Sequence, residues 1–402
     1  MRILGIETSC DETAAAVVED GRVLLSNVVQ SQIDIHKVYG GVVPEVAARS
    51  HIEVMIPVIE EALEKASSVV SSQSSVISEK TVAETRNMKL ETREKAEKLP
   101  ATDDRRPVTS DPWDQIDAIA VTYAPGLVGS LLIGHLSARM LAMIKNKPLY
   151  PVHHVEGHVY ANFIIETGNK KQETGAKIIS LPGQQPKFPI LALIVSGGHS
   201  QLVLFRDHGD YTLLGQTQDD AVGEAFDKVA KIIGLPYPGG PSIANAALHG
   251  DPGFVKLPKA KMQGKYDFSF SGLKTAVLRA AQAHAGVGYD FPSFQLPERL
   301  DDVTRANFAA SFQRIAVETL VDKTELAFHD FSPASVIIAG GVAANQELRR
   351  QLSERLPITI EYPDMSLCTD NAAMIATLGY YEAQREAASD PRSLEVVPSL
   401  SM

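Results

Sequence analysis

One structural unit is written twice in this chain, and a duplication leaves few folds open. Residues Arg2 to Ser26 read RILGIETSCDETAAAVVEDGRVLLS, and residues Pro189 to Leu214 read PILALIVSGGHSQLVLFRDHGDYTLL. Each is an apolar run, a short polar turn, a second β-rich run, a polar turn and a third run, which predicts three consecutive strands. The parallel continues downstream. Gly41 to Lys65 has helical periodicity, with Ile52, Met55, Ile56, Ile59 and Leu63 expected on one face and a kink at Pro57; Asp220 to Ile233 is helical in the same way. Then come two strand–turn–helix units, Ile116–Val121 with Ala124-Pro125-Gly126 and Ser335–Ala339 with Gly340–Asn345. Last, Leu149–Val152 leads into a helix as Ile358–Tyr362 leads into Asp370–Glu382.

Strand, strand, strand, helix, strand, helix, strand, helix, twice over, predicts an α/β protein of two lobes with mixed sheets. The first lobe is expected over 1–150 and the second over 151–402, with the last helix, 371–386, packing back toward the first. Two stretches break the pattern. Lys65 to Asp114 is rich in Ser, Thr, Glu, Lys and Arg, and Thr167 to Lys187 in Gly, Lys and Gln; both read as insertions or mobile loops, with a short helix near Glu84–Leu99 as an option in the first.

A formal net charge of −11 argues against a broad, non-specific nucleic-acid face. It leaves room for one local basic patch, for which Lys256, Lys259, Lys261, Lys265, Lys274 and Arg279 are the candidates, a solvated surface run being the plainer reading. Two distant cysteines, Cys10 and Cys368, build no disulfide framework and suit a reducing cytoplasm. No window of 18 unbroken apolar residues and no leader-like N-terminus stand out, so a cytoplasmic protein without a membrane span is expected.

The chemistry concentrates at His153-His154-Val155-Glu156-Gly157-His158, at the start of a helix. Residues four apart share a helix face, so His154 and His158 can address one metal ion. At the equivalent point of the second half stands Cys368-Thr369-Asp370-Asn371, which puts Asp370 opposite the two imidazoles. Two imidazoles and a carboxylate with open positions suit Zn2+ or Fe2+. A metalloprotease would need glutamate directly after the first histidine. Glu156 comes two residues after His154, about 200° around the helix, and points away. Glycine turns at Ser196-Gly197-Gly198, Gly239-Gly240-Pro241 and Gly340–Asn345 offer backbone N–H groups to an anion such as a nucleotide phosphate. Asp227 is either a ligand for a ribose hydroxyl or amine, or a surface carboxylate paired with Lys231; Asp11 and Glu12 follow the first turn and can position a nucleophile or ion.

Nine segments, in order, resemble the TsaD (YgjD/Gcp, OSGEP-like) family of tRNA threonylcarbamoyladenosine transferases: GIETSCDETAAAVV, GGVVPEVAARSH, APGLVGSLLIG, HHVEGH, IVSGGHSQLV, GEAFDKVAKIIGLPYPGGP, YDFSFSGLKTA, GGVAANQ and CTDNAAMIA. The resemblance implies the duplicated actin/heat-shock chaperone/sugar-kinase (RNase H-like) fold. It implies a metal-assisted transfer of the threonylcarbamoyl group from threonylcarbamoyl-AMP to N6 of adenosine 37 in tRNAs reading ANN codons. By motif match His154, His158 and Asp370 are the metal ligands; Ile194, Val195, Ser196, Gly197, Gly198, Asp227, Gly240 and Asn345 bind the adenylate; Asp11 is the candidate for positioning the incoming amine. It further implies a TsaB-like paralogue and a TsaE-like ATPase as partners. The competing reading is an ATP-hydrolysing chaperone- or actin-like switch, which the same fold permits but which has no use for the His154–His158–Asp370 set.

Overall fold

In a computed structural model, residues 1–88, 111–165, 172–174, 177–179 and 181–402 are described. The repeat becomes two five-stranded sheets of the same order. The first is built from β1 (Arg2–Glu7), β2 (Glu12–Glu19), β3 (Val23–Ser31), β4 (Ala118–Ala124) and β5 (Leu149–His153), in the order β3-β2-β1-β4-β5. The second uses β8 (Ile190–Val195), β9 (Ser200–Asp207), β10 (Asp210–Gln216), β11 (Ser335–Ala339) and β12 (Ile360–Glu361), in the order β10-β9-β8-β11-β12. Two short strands, β6 (Gln172–Thr174) and β7 (Lys177–Ile179), form a separate antiparallel pair between them in sequence. Within each sheet the opening strand pairs antiparallel with the second and parallel with the fourth. The chain thus holds one mixed five-stranded unit twice, with the same strand order in each copy.

Strands covered by helices on both faces read as unbroken apolar runs, and β1, β8 and β11 do. Their alternate residues divide between two cores. From β8, Leu191, Leu193 and Val195 enter the core beneath the second sheet, whereas Ile190, Ala192 and Ile194 face the first. From β1, Leu4 and Ile6 pack under α2 (Pro44–Met88) and α3 (Val128–Lys145), whereas Ile3 points to the core shared by the two sheets. After the short α1 (Ile33–His36), these helices close the outer face of the first sheet. The outer face of the second carries α5 (Val222–Ile233), α6 (Gly239–Ala247), α7 (Ser271–His284), α8 (Asp302–Phe331) and α9 (Gln346–Arg355).

Between the sheets lie α4 (His154–Tyr160) and, beyond the single turn α10 (Met365–Cys368), α11 (Ala372–Arg385). The expectation that the last helix returns to the first sheet holds, and small residues make the approach possible. A Cβ on Gly5 would stand 2.3 Å from the Ala372 carbonyl oxygen and 2.6 Å from the Ala376 nitrogen. One on Gly379 would stand 2.3 Å from Ala120 Cβ. Only hydrogen side chains let α11 lie this close to β1 and β4.

Two expectations change, both in α2. Helix α2 runs through Pro57 and onward to Met88, so the start of the stretch read as an insertion or mobile loop is helical backbone. Of the helix expected near Glu84–Leu99, residues 84–88 lie in α2 and the remainder falls outside the described residues. The inward face of α2 is Met55, Val58, Ile59, Ala62 and Leu63, while Ile52 and Ile56 are 63% and 51% exposed. At ~100° per residue the buried positions 51, 55, 58, 59, 62 and 63 centre the stripe close to Met55, with Ile52 ~60° and Ile56 ~100° round toward one edge of it. Finally, α3 is long and apolar enough to cross a membrane by length and composition. Its Leu131, Ala138 and Ala142 are core residues, and Arg139 donates to the backbone carbonyls of Pro391 and Arg392.

Candidate metal centre and adjoining cleft

The first turn of α4 and the turn preceding α11 meet between the sheets. His154 and His158 stand one helical turn apart, and Asp370 comes from the segment between α10 and α11. Asp370 Oδ1 lies 3.5 Å from His154 Nε2 and 3.4 Å from His158 Nε2, and one ligand atom from each of the three residues lies within 4.8 Å of the others. Both imidazoles are buried. Neither ring nitrogen of His158 makes a hydrogen bond of good geometry, an uncommon state for buried polar atoms unless an ion or water completes them. Two nitrogen donors and a carboxylate with their lone pairs converging are a donor set that a divalent transition metal fits, with coordination positions left open.

The electrostatics follow from this crowding. Burial alone would strip His154 of its proton, but Glu7 and Asp370 on either side carry its pKa up to about 9. Asp370 is half-buried, and although desolvation works the other way the two histidines hold its carboxyl well below the usual range. His199, at the end of the second sheet's turn, is driven down to about 3 by burial and by the neighbouring His154 and His158, so it stays a neutral imidazole.

The glycine turns gather beside this cluster. Ser196-Gly197-Gly198 follows β8, with Ser196 buried and both glycines exposed. Gly340, at φ +87°, would place a Cβ 2.5 Å from the Val195 carbonyl oxygen, so the turn after β11 lies directly on the turn after β8. The start of α5 closes the third side, with the Gly223 N–H donating to the Ser196 carbonyl at 3.3 Å. Ile194 and Val195 put their side chains wholly into the two cores and are paired in the sheet, so that β8 delivers the turn at Ser196 from a fixed base.

Among the described residues Asp227 forms no ion pair with Lys231. It accepts the Gly239 N–H at 2.6 Å, pinning the start of α6 and with it Gly240, where an added Cβ would meet nothing within 4 Å. Lys228 takes Asp220 and Glu224 instead. Asn345 caps α9, accepting from the Leu348 N–H at 3.1 Å, while its amide donates to Gln313. Asp11 is partly exposed in the turn between β1 and β2; burial, Asp370 and Asp11 together push its neighbour Glu12 up to about 9. The basic patch is largely neutralised: Lys259 pairs with Glu318 and Asp322, Lys265 with Asp330, Lys274 with Asp220.

Glu156 points away from the cluster, as the helix geometry requires, and is buried with Oε1 unpartnered. Burial, reinforced by Glu382 and only partly offset by Arg385, pushes it from 4.5 to about 8. A carboxyl raised in the folded state stabilises the fold fully below its unfolded value and loses that contribution as pH rises through 8. Glu156→Gln is therefore expected to melt a few degrees above wild type at pH 9 and to match it near pH 5, read from thermal unfolding across that range.

Relatives of this chain share its whole length and not the site alone. The sequence matches the family TsaD, described as tRNA N6-adenosine threonylcarbamoyltransferase, over residues 23–77 and 111–377. The chain belongs to this family. The threonylcarbamoyltransferase of Thermomicrobium roseum is 47% identical over 97% of this chain and 94% of its own length. That of Symbiobacterium thermophilum is 44% identical over 100% and 96%, and that of Dehalococcoides mccartyi strain BAV1 42% over 100% and 99%. Among solved structures, the ROK hexokinase of Thermus thermophilus superposes with a TM-score of 0.40 at 16% identity, covering 96% of this chain and 100% of that one. YeaZ from Pseudomonas aeruginosa gives 0.26 at 13%, covering 53% and 63%. As a TsaD family member the chain is a transferase of tRNA modification, placing the threonylcarbamoyl group on adenosine N6, and the ATP-driven switch is not favoured.

Proposed function

We propose that His154, His158 and Asp370 hold a single Fe2+ or Zn2+ ion, and that this ion supplies Lewis acidity toward the carbamoyl carbonyl or the phosphate of bound threonylcarbamoyl-AMP. The carrying observation is the convergence of two buried imidazoles, one of them without a hydrogen-bond partner among the described residues, on a half-buried carboxylate from a distant part of the chain. The adenylate lies along the backbone of Ile194 to Gly198, against Gly240 and near Asn345, with Asp227 acting through the α6 turn that it pins. The exposed Gly197 and Gly198 let the backbone approach the phosphate closely. Asp11 positions adenine N6 of the tRNA substrate, adenosine 37 of tRNAs reading ANN codons. Adenine N6 attacks the carbamoyl carbon, AMP departs with the former bonding pair, and the proton of the amine leaves with it or to solvent. Holding both reactants in one cleft supplies the orientation that such an attack needs.

The partners that accompany this reading are a TsaB-like paralogue and a TsaE-like ATPase, in the cytoplasm. An exposed apolar row supports a docked partner. Val128, Leu132, Leu136 and Met140 repeat every fourth residue along α3, 38–57% exposed, beside the exposed Ile52 and Ile56 of α2. A contiguous apolar face of this kind is characteristic of an interaction surface. A Leu136→Glu, Met140→Glu double variant is expected to lose co-elution with the paralogue while melting within a few degrees of wild type; retained co-elution removes this face from the reading.

The test of the reaction is a transfer assay. Protein and partners receive labelled threonine, bicarbonate, ATP, the adenylate synthase and an unmodified tRNA reading an ANN codon. Threonylcarbamoyladenosine in nuclease digests is the expected product; steady ATP turnover without it would favour the switch reading.

A further inference from the structure

One buried carboxylate in the cleft is used by no step above. Glu7 is the last residue of β1 and fully buried. By the alternation of the strand it shares the face of Ile3 and Gly5, the face turned toward α11 and α4. Both of its oxygens are engaged by donors. The Ser9 N–H donates to Oε1; the Thr122 hydroxyl donates to Oε2 at 2.6 Å; and His154 Nδ1 stands 3.0 Å from the same Oε2.

We propose that Glu7 is the positioning residue of the metal centre, fixing His154 through Nδ1 so that Nε2 faces the ion. The inference rests on the reading that His154, His158 and Asp370 hold a metal. Its geometry is a carboxylate–imidazole pair whose far nitrogen points at the other ligands, with Nε2 3.5 Å from Asp370 Oδ1. Because Glu7 already receives the Thr122 and Ser9 donors, its carboxylate cannot swing away without stranding two buried groups. The Ser9 hydroxyl also stands 3.1 Å from Nδ1 but can donate or accept, whereas the Glu7 carboxylate can only accept, which favours the tautomer carrying its proton on Nδ1. Charge agrees with geometry: Glu7 and Asp370 bring two negative charges, which a divalent cation balances in a buried site. His158 has no such support, since its Nδ1 is buried without a partner. The two histidines are therefore unequal, and the better-oriented one is tied to the turn that opens the chain.

The test is metal affinity, measured with Zn2+ in chelator buffers on metal-free full-length protein. Glu7→Gln keeps shape and one acceptor but removes the charge and sets an amide N–H against a donor. It is expected to weaken Zn2+ binding about 10- to 100-fold. Thr122→Val, which leaves the carboxylate in place, is expected to weaken it less than about threefold. Unchanged affinity in Glu7→Gln overturns the proposal. Wild-type protein that binds no Zn2+, or a His158→Ala variant that binds it as wild type does, overturns the metal-site reading itself. Should Glu7→Gln not fold, nitrogen-15 NMR of histidine-labelled wild-type protein decides. A proton on His154 Nδ1 in the metal-loaded state supports the proposal, and one on Nε2 overturns it.

Discussion

Removing His158 is expected to abolish transfer. His158→Ala takes away one of three ligands whose atoms lie within 4.8 Å of one another, and the remaining pair, His154 and Asp370, leaves a two-ligand site. A metal that polarises a carbonyl contributes several kcal/mol to the transition state, so the loss in kcat/KM is expected to reach about a thousandfold. Asp370→Asn should do the same at nearly unchanged volume, which separates lost ligation from lost packing. Metal content of the purified variants is the accompanying measurement. Variants that keep full transfer would end the metal assignment while leaving the family's reaction intact. Variants that lose transfer but retain stoichiometric metal would move His158 from ligand to another role.

The second large effect is expected far from any ligand. Gly5→Ala places a methyl group 2.3 Å from a backbone oxygen of α11 and 2.6 Å from a backbone nitrogen, atoms that cannot rotate aside. Helix and strand must separate, at a cost of about 3 kcal/mol or more in urea unfolding. Because Asp370 precedes α11 by two residues, the same separation withdraws it from the histidines, and metal affinity should fall with stability. Gly240→Ala is the control. Nothing lies within 4 Å of its Cβ position, and its stability is expected to stay within about 1 kcal/mol of wild type.

These two cases mark how far the residues alone could be read. The convergence of His154, His158 and Asp370, a trio that could hold a metal, was legible because each part has a local signature: a four-residue spacing on a helix, and a polar turn at the matching point of the repeat. The succession of strands and helices in both halves was legible too, since the repeat writes it twice, whereas the strand order came only from the structure. What stayed hidden depended on which face a residue turns. Ile52 and Ile56 satisfy a helical period as well as Met55 and Ile59 do, and only the packing of α2 on the sheet separates covered from exposed. For Asp227, read as a ligand contact or as a carboxylate paired with Lys231, the Gly239 N–H that it accepts lies across a loop, beyond the reach of a local pattern. Glu7 stood in plain view inside the opening motif. Its contact with His154 spans 147 residues, and no local pattern encodes such a distance.

By itself the sequence determined the period: two copies of one α/β unit, the positions of the turns, and the residue types able to bind a metal. The tertiary structure decided which residues meet. Periodicity arises from the geometry of single strands and helices, which neighbouring residues dictate. The site arises from the close approach of α11 to β1 across Gly5 and of α4 to β8 and β11, and the relative placement of elements is set by packing summed over the whole core.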